Sequence, residues 1–185
     1  MQQKVVKILQ DLANELHTRQ VTRGDWTLEI KTALANGLAN PEENIGAYAH
    51  SVKEGTKTEW GEWMWDFTLA KQKPQSQLAE FKLSMVDRLL LTAEIEWNTK
   101  YDQIAIDFQK LVFAKSDLKL YIFPKNTPDY TRDIAQFCWN LADVDQKPDG
   151  DSYLIIGMPL NAFGPKLDIY SWRNLAQLQK QEDAT

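Results

Sequence analysis

The stretch Glu62–Gln72, EWMWDFTLAKQ, places Trp63, Trp65, Phe67 and Leu69 at every second position. That is the period of a β-strand with one face pressed into a core. Glu62, Met64, Asp66, Thr68 and Ala70 fall on the opposite face. An acid therefore stands near the middle of a strand anchored by aromatic side chains.

A second segment of the same kind follows at 89–97, LLLTAEIEW. Leu91, Ala93, Ile95 and Trp97 point one way, and Leu90, Thr92, Glu94 and Glu96 the other. Paired as an antiparallel hairpin with a long loop, the two strands set Asp66, Glu94 and Glu96 on one side. Three like charges within a few ångströms are unfavourable on a mostly buried sheet unless something positive sits among them. Two solutions stay open on spacing alone. Either the face is solvated and the acids point to water, or a divalent cation lies between them. Carboxylate oxygens suit Mg²⁺, Mn²⁺ or Ca²⁺.

Around this pair the chain alternates helix and strand. Residues 3–18 carry Val6, Leu9, Leu12, Ala13 and Leu16 at helical spacing. Asp25 reads as the N-cap of a second helix with the stripe Trp26, Ile30, Ala33, Leu34 and Leu38, ended by Asn40-Pro41. Glu29 borders that stripe and is either a solvated helix charge or a contributor to a site. A short strand is expected at 45–50, a turn at 53–61 and a loop at 71–77; the segment 78–87 is ambiguous between helix and strand. Residues 101–115 form a helix with Ile104, Phe108, Leu111 and Val112 inward and Ile106 and Phe113 on the far side, a pattern of sandwiched or dimerising helices. Leu118–Phe123 is a strand ended by Pro124. Thr127 caps a helix that begins at Pro128 and runs to about Ala142. Tyr153–Met158 is a buried strand, Leu167–Trp172 an edge strand, and the tail from Asn174 is polar. This order gives an α/β fold, a mixed central sheet flanked by helices. One domain over 1–185 accommodates it, with N-terminal helices in 1–40, a core in 41–125 and a C-terminal helix and strands in 126–185.

Composition bounds the chemistry. The 185 residues are 43% hydrophobic and 25% charged, as in globular domains with a real core. A net charge of −5 supplies no overall basic footprint for nucleic acid. Cys138 is the single cysteine, which rules out an intramolecular disulfide; set among Ile134, Phe137 and Leu141, it reads as a buried inert thiol. With His17 and His50 the only histidines, zinc and histidine-based nucleophilic chemistry are poorly supplied. No apolar run has signal-peptide or membrane-spanning character, so the expected compartment is the cytoplasm, with no membrane partner.

Taken together, WDFTLA, AEIEWN and IDFQKLVFAKSDLKLYIF resemble the PD-(D/E)XK restriction-endonuclease-like superfamily, over roughly Trp26 to Phe123. In that superfamily an acid on one strand and an acid-x-Lys on the next hold a metal, and a helix and another strand follow. Asp66 matches the first acid and Glu94 the second. Glu96 stands where most members have lysine, as in the E-x-E version carried by some type II restriction enzymes. Glu29 resembles the acid some members supply from the N-terminal helix. Lys110 resembles the migrated lysine of some relatives, with Lys100 as the alternative position. Trp65 stands where the motif's name has proline.

The resemblance implies a restriction-endonuclease-like domain with Mg²⁺ (or Mn²⁺) held by Asp66, Glu94 and Glu29. It implies phosphodiester hydrolysis of DNA by Asp66, Glu94, Glu96 and Lys110. A chain this size would need a homodimer, a partner subunit or a structured substrate to cut both strands. The alternative is a non-catalytic relative that kept the fold as a binding or assembly module, a reading favoured by the acidic balance and the missing strand lysine.

Overall fold

The computed structural model describes residues 1–19, 21–58, 63–73, 85–144, 152–159 and 164–171. Two helices come first, α1 (Gln2–Leu16) and α2 (Arg23–Leu38). α2 starts earlier than Asp25 because Thr22 and Asp25 satisfy each other. The Thr22 side chain accepts from the Asp25 N–H, and the Asp25 carboxylate accepts from the Thr22 N–H at 3.1 Å. Thr22 is thus the cap and Asp25 the third residue of a capping box.

Six strands follow in one sheet whose order repeats the chain order, β1 to β6. β1 (Ile45–Tyr48), β2 (Phe67–Gln72) and β3 (Val86–Ile95) are antiparallel neighbours. β4 (Ser116–Pro124) lies parallel to β3, and β5 (Tyr153–Met158) parallel to β4. Parallel neighbours require a crossover, and the two helices α3 (Tyr101–Phe113) and α4 (Pro128–Val144) provide it. β6 (Asp168–Ser171) returns antiparallel along β5. The mixed, helix-flanked α/β sheet is as expected. Thr127 caps α4 as expected, its hydroxyl accepting from the Tyr130 N–H at 3.3 Å.

The sheet separates two cores. α1 and α2 pack on the face of Phe67, Leu69, Leu91, Ala93 and Ile95. α3 and α4 pack on the face of Tyr121, Phe123, Tyr153 and Ile155. The alternation expected of Leu91, Ala93 and Ile95 holds. That expected of the tryptophans does not. β2 begins at Phe67, after bends at Met64, Trp65 and Asp66. Trp65 turns into the α3–α4 core, across the sheet from Phe67, and Trp63 is 39% exposed. The cause is Asp66, whose carboxylate accepts the Ile95 N–H at 2.8 Å. A side chain takes the ladder position that a strand carbonyl would fill, so the ladder ends there. Phe67 and Ile95 keep the common buried face, with Trp97 partly buried against it.

Ile106 and Phe113 are exposed on the outer side of α3, and Cys138 is buried. Among the described residues, no helix is long and apolar enough to cross a membrane. Glu62, most of the ambiguous segment (up to Ser84), Trp172 and the tail from Asn174 lie outside the described residues; the end of that segment opens β3.

Phe67 is fully buried whereas Phe113 is 73% exposed. Phe67→Ala is therefore expected to cost about 3–5 kcal/mol in urea unfolding, and Phe113→Ser to stay within about 0.5 kcal/mol of the parent.

Candidate functional site

Glu94 lies one residue before the C-terminal end of β3, directly opposite Tyr121 of β4, on the face that α3 covers. Only 3% of it is exposed. The pairing of Phe67 with Ala93 brings Asp66 beside it from the neighbouring strand. The Asp66 carboxylate is held by the Ile95 N–H, immediately after Glu94. α3 then brings Lys110 over the pair, its Nζ donating to Glu94 Oε2 at 3.2 Å and lying 2.7 Å from Asp107 Oδ1. The other Glu94 oxygen, Oε1, is buried without a hydrogen-bond partner, as is the Tyr121 hydroxyl across from it.

α3 is positioned by the sheet beneath it. The last carbonyls of a helix have no partner within the helix. The indole N–H of Trp65 donates to the Lys110 carbonyl at 3.1 Å, and buried Lys119 donates to the Val112 carbonyl at 3.3 Å. The residue that left the expected strand face thus secures the backbone that carries Lys110.

Burial pushes the Glu94 carboxyl up to about 8; the nearby Asp66 charge adds to this and Lys110 opposes it. At neutral pH Glu94 therefore holds a proton. Glu96 also rises, through burial and a carboxyl–carboxyl hydrogen bond with Asp107. Burial pushes Asp107 up as well, but its hydrogen bonds with Glu96 and Lys110 hold it below the usual range. Burial alone would lower Lys110, yet its bonds to Asp107 and Glu94 raise it, so it stays an ammonium.

The structure brings together Asp66, Glu94, Glu96 and Lys110. It adds Asp107, whose signal was the i, i+3 spacing with Lys110 on one helix face. Glu29 is placed differently: its carboxylate is ion-paired with Lys53, and α2 packs on the other face of the sheet. Lys100 is the exposed residue preceding α3. Among the described residues, no group of three or more His, Cys, Asp or Glu side chains is gathered as a metal-holding cluster.

A carboxyl whose folded pKa is raised binds its proton more tightly in the folded state. Glu94 therefore lowers stability progressively as pH rises from about 4.5 to about 8, with the full loss present above that. In EDTA, Glu94→Gln is expected to flatten this decline. Melting temperatures should be similar to the parent at pH 5 and higher than the parent at pH 9; equal pH slopes for the two proteins would contradict the assignment.

The chain matches no protein-family model, no curated protein and no solved structure.

Proposed function

We propose that this chain is a metal-dependent nuclease of the restriction-endonuclease-like type, hydrolysing phosphodiester bonds in DNA. The observation that carries the reading is Glu94. It is buried, with one carboxylate oxygen unpartnered, beside Asp66 and beneath Lys110. The order of parts supports it too: an acid at the start of one strand, an acid-x-acid at the end of the next, then a helix bearing lysine and a parallel strand.

The donor set fits a hard divalent ion. Asp66 and Glu94 offer carboxylate oxygens from adjacent strands, and Oε1 of Glu94 lacks any other partner. They are the residues that would hold Mg²⁺ or Mn²⁺; Glu29, paired with Lys53 on a helix that packs on the other face of the sheet, is not among them. When bound, such an ion supplies an activated water and neutralises charge building on the phosphate. Glu94 must lose its proton to serve, so affinity for the ion rises with pH toward about 8. Lys110 stays charged, which suits it to face a phosphate oxygen and unsuits it as a base. The base role falls to Glu96: burial and its hydrogen bond with Asp107 raise its carboxyl above the usual range, which makes its carboxylate a better proton acceptor. Ile106 and Phe113, 55% and 73% exposed, offer apolar surface to a second copy. Light scattering at tens of micromolar should then return a dimer mass; a monomer mass would remove this part.

A second reading has its own support. Lys110 and the proton held by Glu94 already offset part of the cluster's charge, as a structural network in a binding or assembly module would require. The two readings separate on one experiment. Titration with Mn²⁺ or Mg²⁺, followed by tryptophan fluorescence and by cleavage of plasmid and oligonucleotide DNA, should give a saturating response and products. Asp66→Asn keeps an oxygen acceptor for the Ile95 N–H. It should preserve the circular dichroism spectrum while abolishing the metal response and cleavage. No response at millimolar metal with inert substrates assigns the chain to the second reading.

A further inference from the structure

We propose that Trp63 is a stacking platform that selects an unpaired DNA strand for this site, an inference that rests on the nuclease reading above. Trp63 and Met64, immediately before the Trp65–Asp66 bend, are 39% and 65% exposed. The Trp63 ring rests on Tyr48, with centroids 5.0 Å apart and planes inclined by 37°. Tyr48 is itself buried, and Gln72 Nε2 donates to its hydroxyl at 2.9 Å, so the support beneath the indole is fixed.

The register places this pair on the functional face. Tyr48 lies opposite Thr68, Thr68 opposite Thr92, Thr92 opposite Lys119 and Lys119 opposite Tyr153. Directly opposed residues share a face, and Tyr153 belongs to the core under α3 and α4, where Glu94 also points. The exposed indole therefore stands over the β1 side of the face that carries Asp66, Glu94 and Lys110, three residues along the chain from Asp66. A held aromatic ring with solvent-facing area is what an exposed base stacks upon.

Charge argues for the unpaired strand over the duplex. Duplex binding draws mainly on lysine and arginine contacts to phosphates. Here the net charge is −5, and Lys53, Arg88, Lys110 and Lys125 each engage a carboxylate. Bases inside a duplex are already stacked on each other and offer Trp63 no face. An unpaired base does, and stacking adds affinity to whatever phosphate contacts the strand makes.

The test is binding of fluorescently labelled oligothymidylate and of a duplex of the same length to the full chain, by anisotropy, in EDTA so that nothing is cleaved. The single strand should bind more tightly than the duplex. Trp63→Ala should weaken single-strand binding by about tenfold. Trp63→Phe, which keeps an aromatic face on Tyr48, should retain most of the affinity while losing the part of the tryptophan quenching caused by the oligonucleotide. Unchanged single-strand affinity in Trp63→Ala, a duplex bound as tightly as the single strand, or undiminished quenching in Trp63→Phe overturns the proposal. Because these measurements exclude metal, their failure is distinct from failure of the nuclease reading, which shows as absent metal-dependent cleavage.

Discussion

The docking of α3 by its own C-terminus is the constraint on which the site depends. Two donors rise from the sheet to the final turn: the indole of Trp65 to the Lys110 carbonyl, and the ammonium of Lys119 to the Val112 carbonyl. Lys119 is 1% exposed. A buried ammonium is costly unless fully partnered. It has the hydroxyl of Tyr153 at 3.2 Å and lies 4.8 Å from that ring's centroid, and the negative end of the helix dipole favours it further. Together the two donors fix the rotation and height of α3. That is what sets Lys110 over Glu94 and Asp107 beside Glu96.

The resulting cluster combines four carboxyl groups with one lysine; Glu94 is buried and the others are half-buried. Such a group is tolerable only if its charges are reduced or matched. Both happen here: Glu94 is neutral near pH 7, the hydrogen bond between Glu96 and Asp107 raises the one carboxyl and lowers the other, and Lys110 supplies the positive charge. The backbone hydrogen bond to Asp66 adds rigidity, since it ties the first acid to the strand carrying the second. A site held this firmly before any ligand arrives is preorganised, as the proposed phosphodiester hydrolysis would require.

Most of the element order was legible because apolar period and caps agree along the chain. The Tyr153–Met158 strand and the Thr127-Pro128 helix start are the clearest cases. The faces of Trp63 and Trp65 were not legible. Alternation describes a straight strand, and the bend forced by the Asp66–Ile95 bond leaves no mark in a two-residue period. Of the candidate site, Asp66, Glu94, Glu96 and Lys110 were within reach, since three lie on predicted strands and one on a predicted helix. Asp107 was visible only as a helix neighbour of Lys110, without a sign that Glu96 would meet it. The partner of Glu29 is Lys53, from a loop whose path no periodicity describes.

The sheet has one further property. Its spatial order is its chain order, so no strand inserts between two that precede it. A nascent chain emerging from a ribosome can lay down β1, β2 and β3 as a local meander, then extend it one crossover at a time. Each arrival covers the edge left open by the strand before, the exposure that makes growing sheets prone to association. Vectorial growth of this kind ends at β6 among the described strands, where the ion pair of Asp168 with Lys125 places charge on the final border.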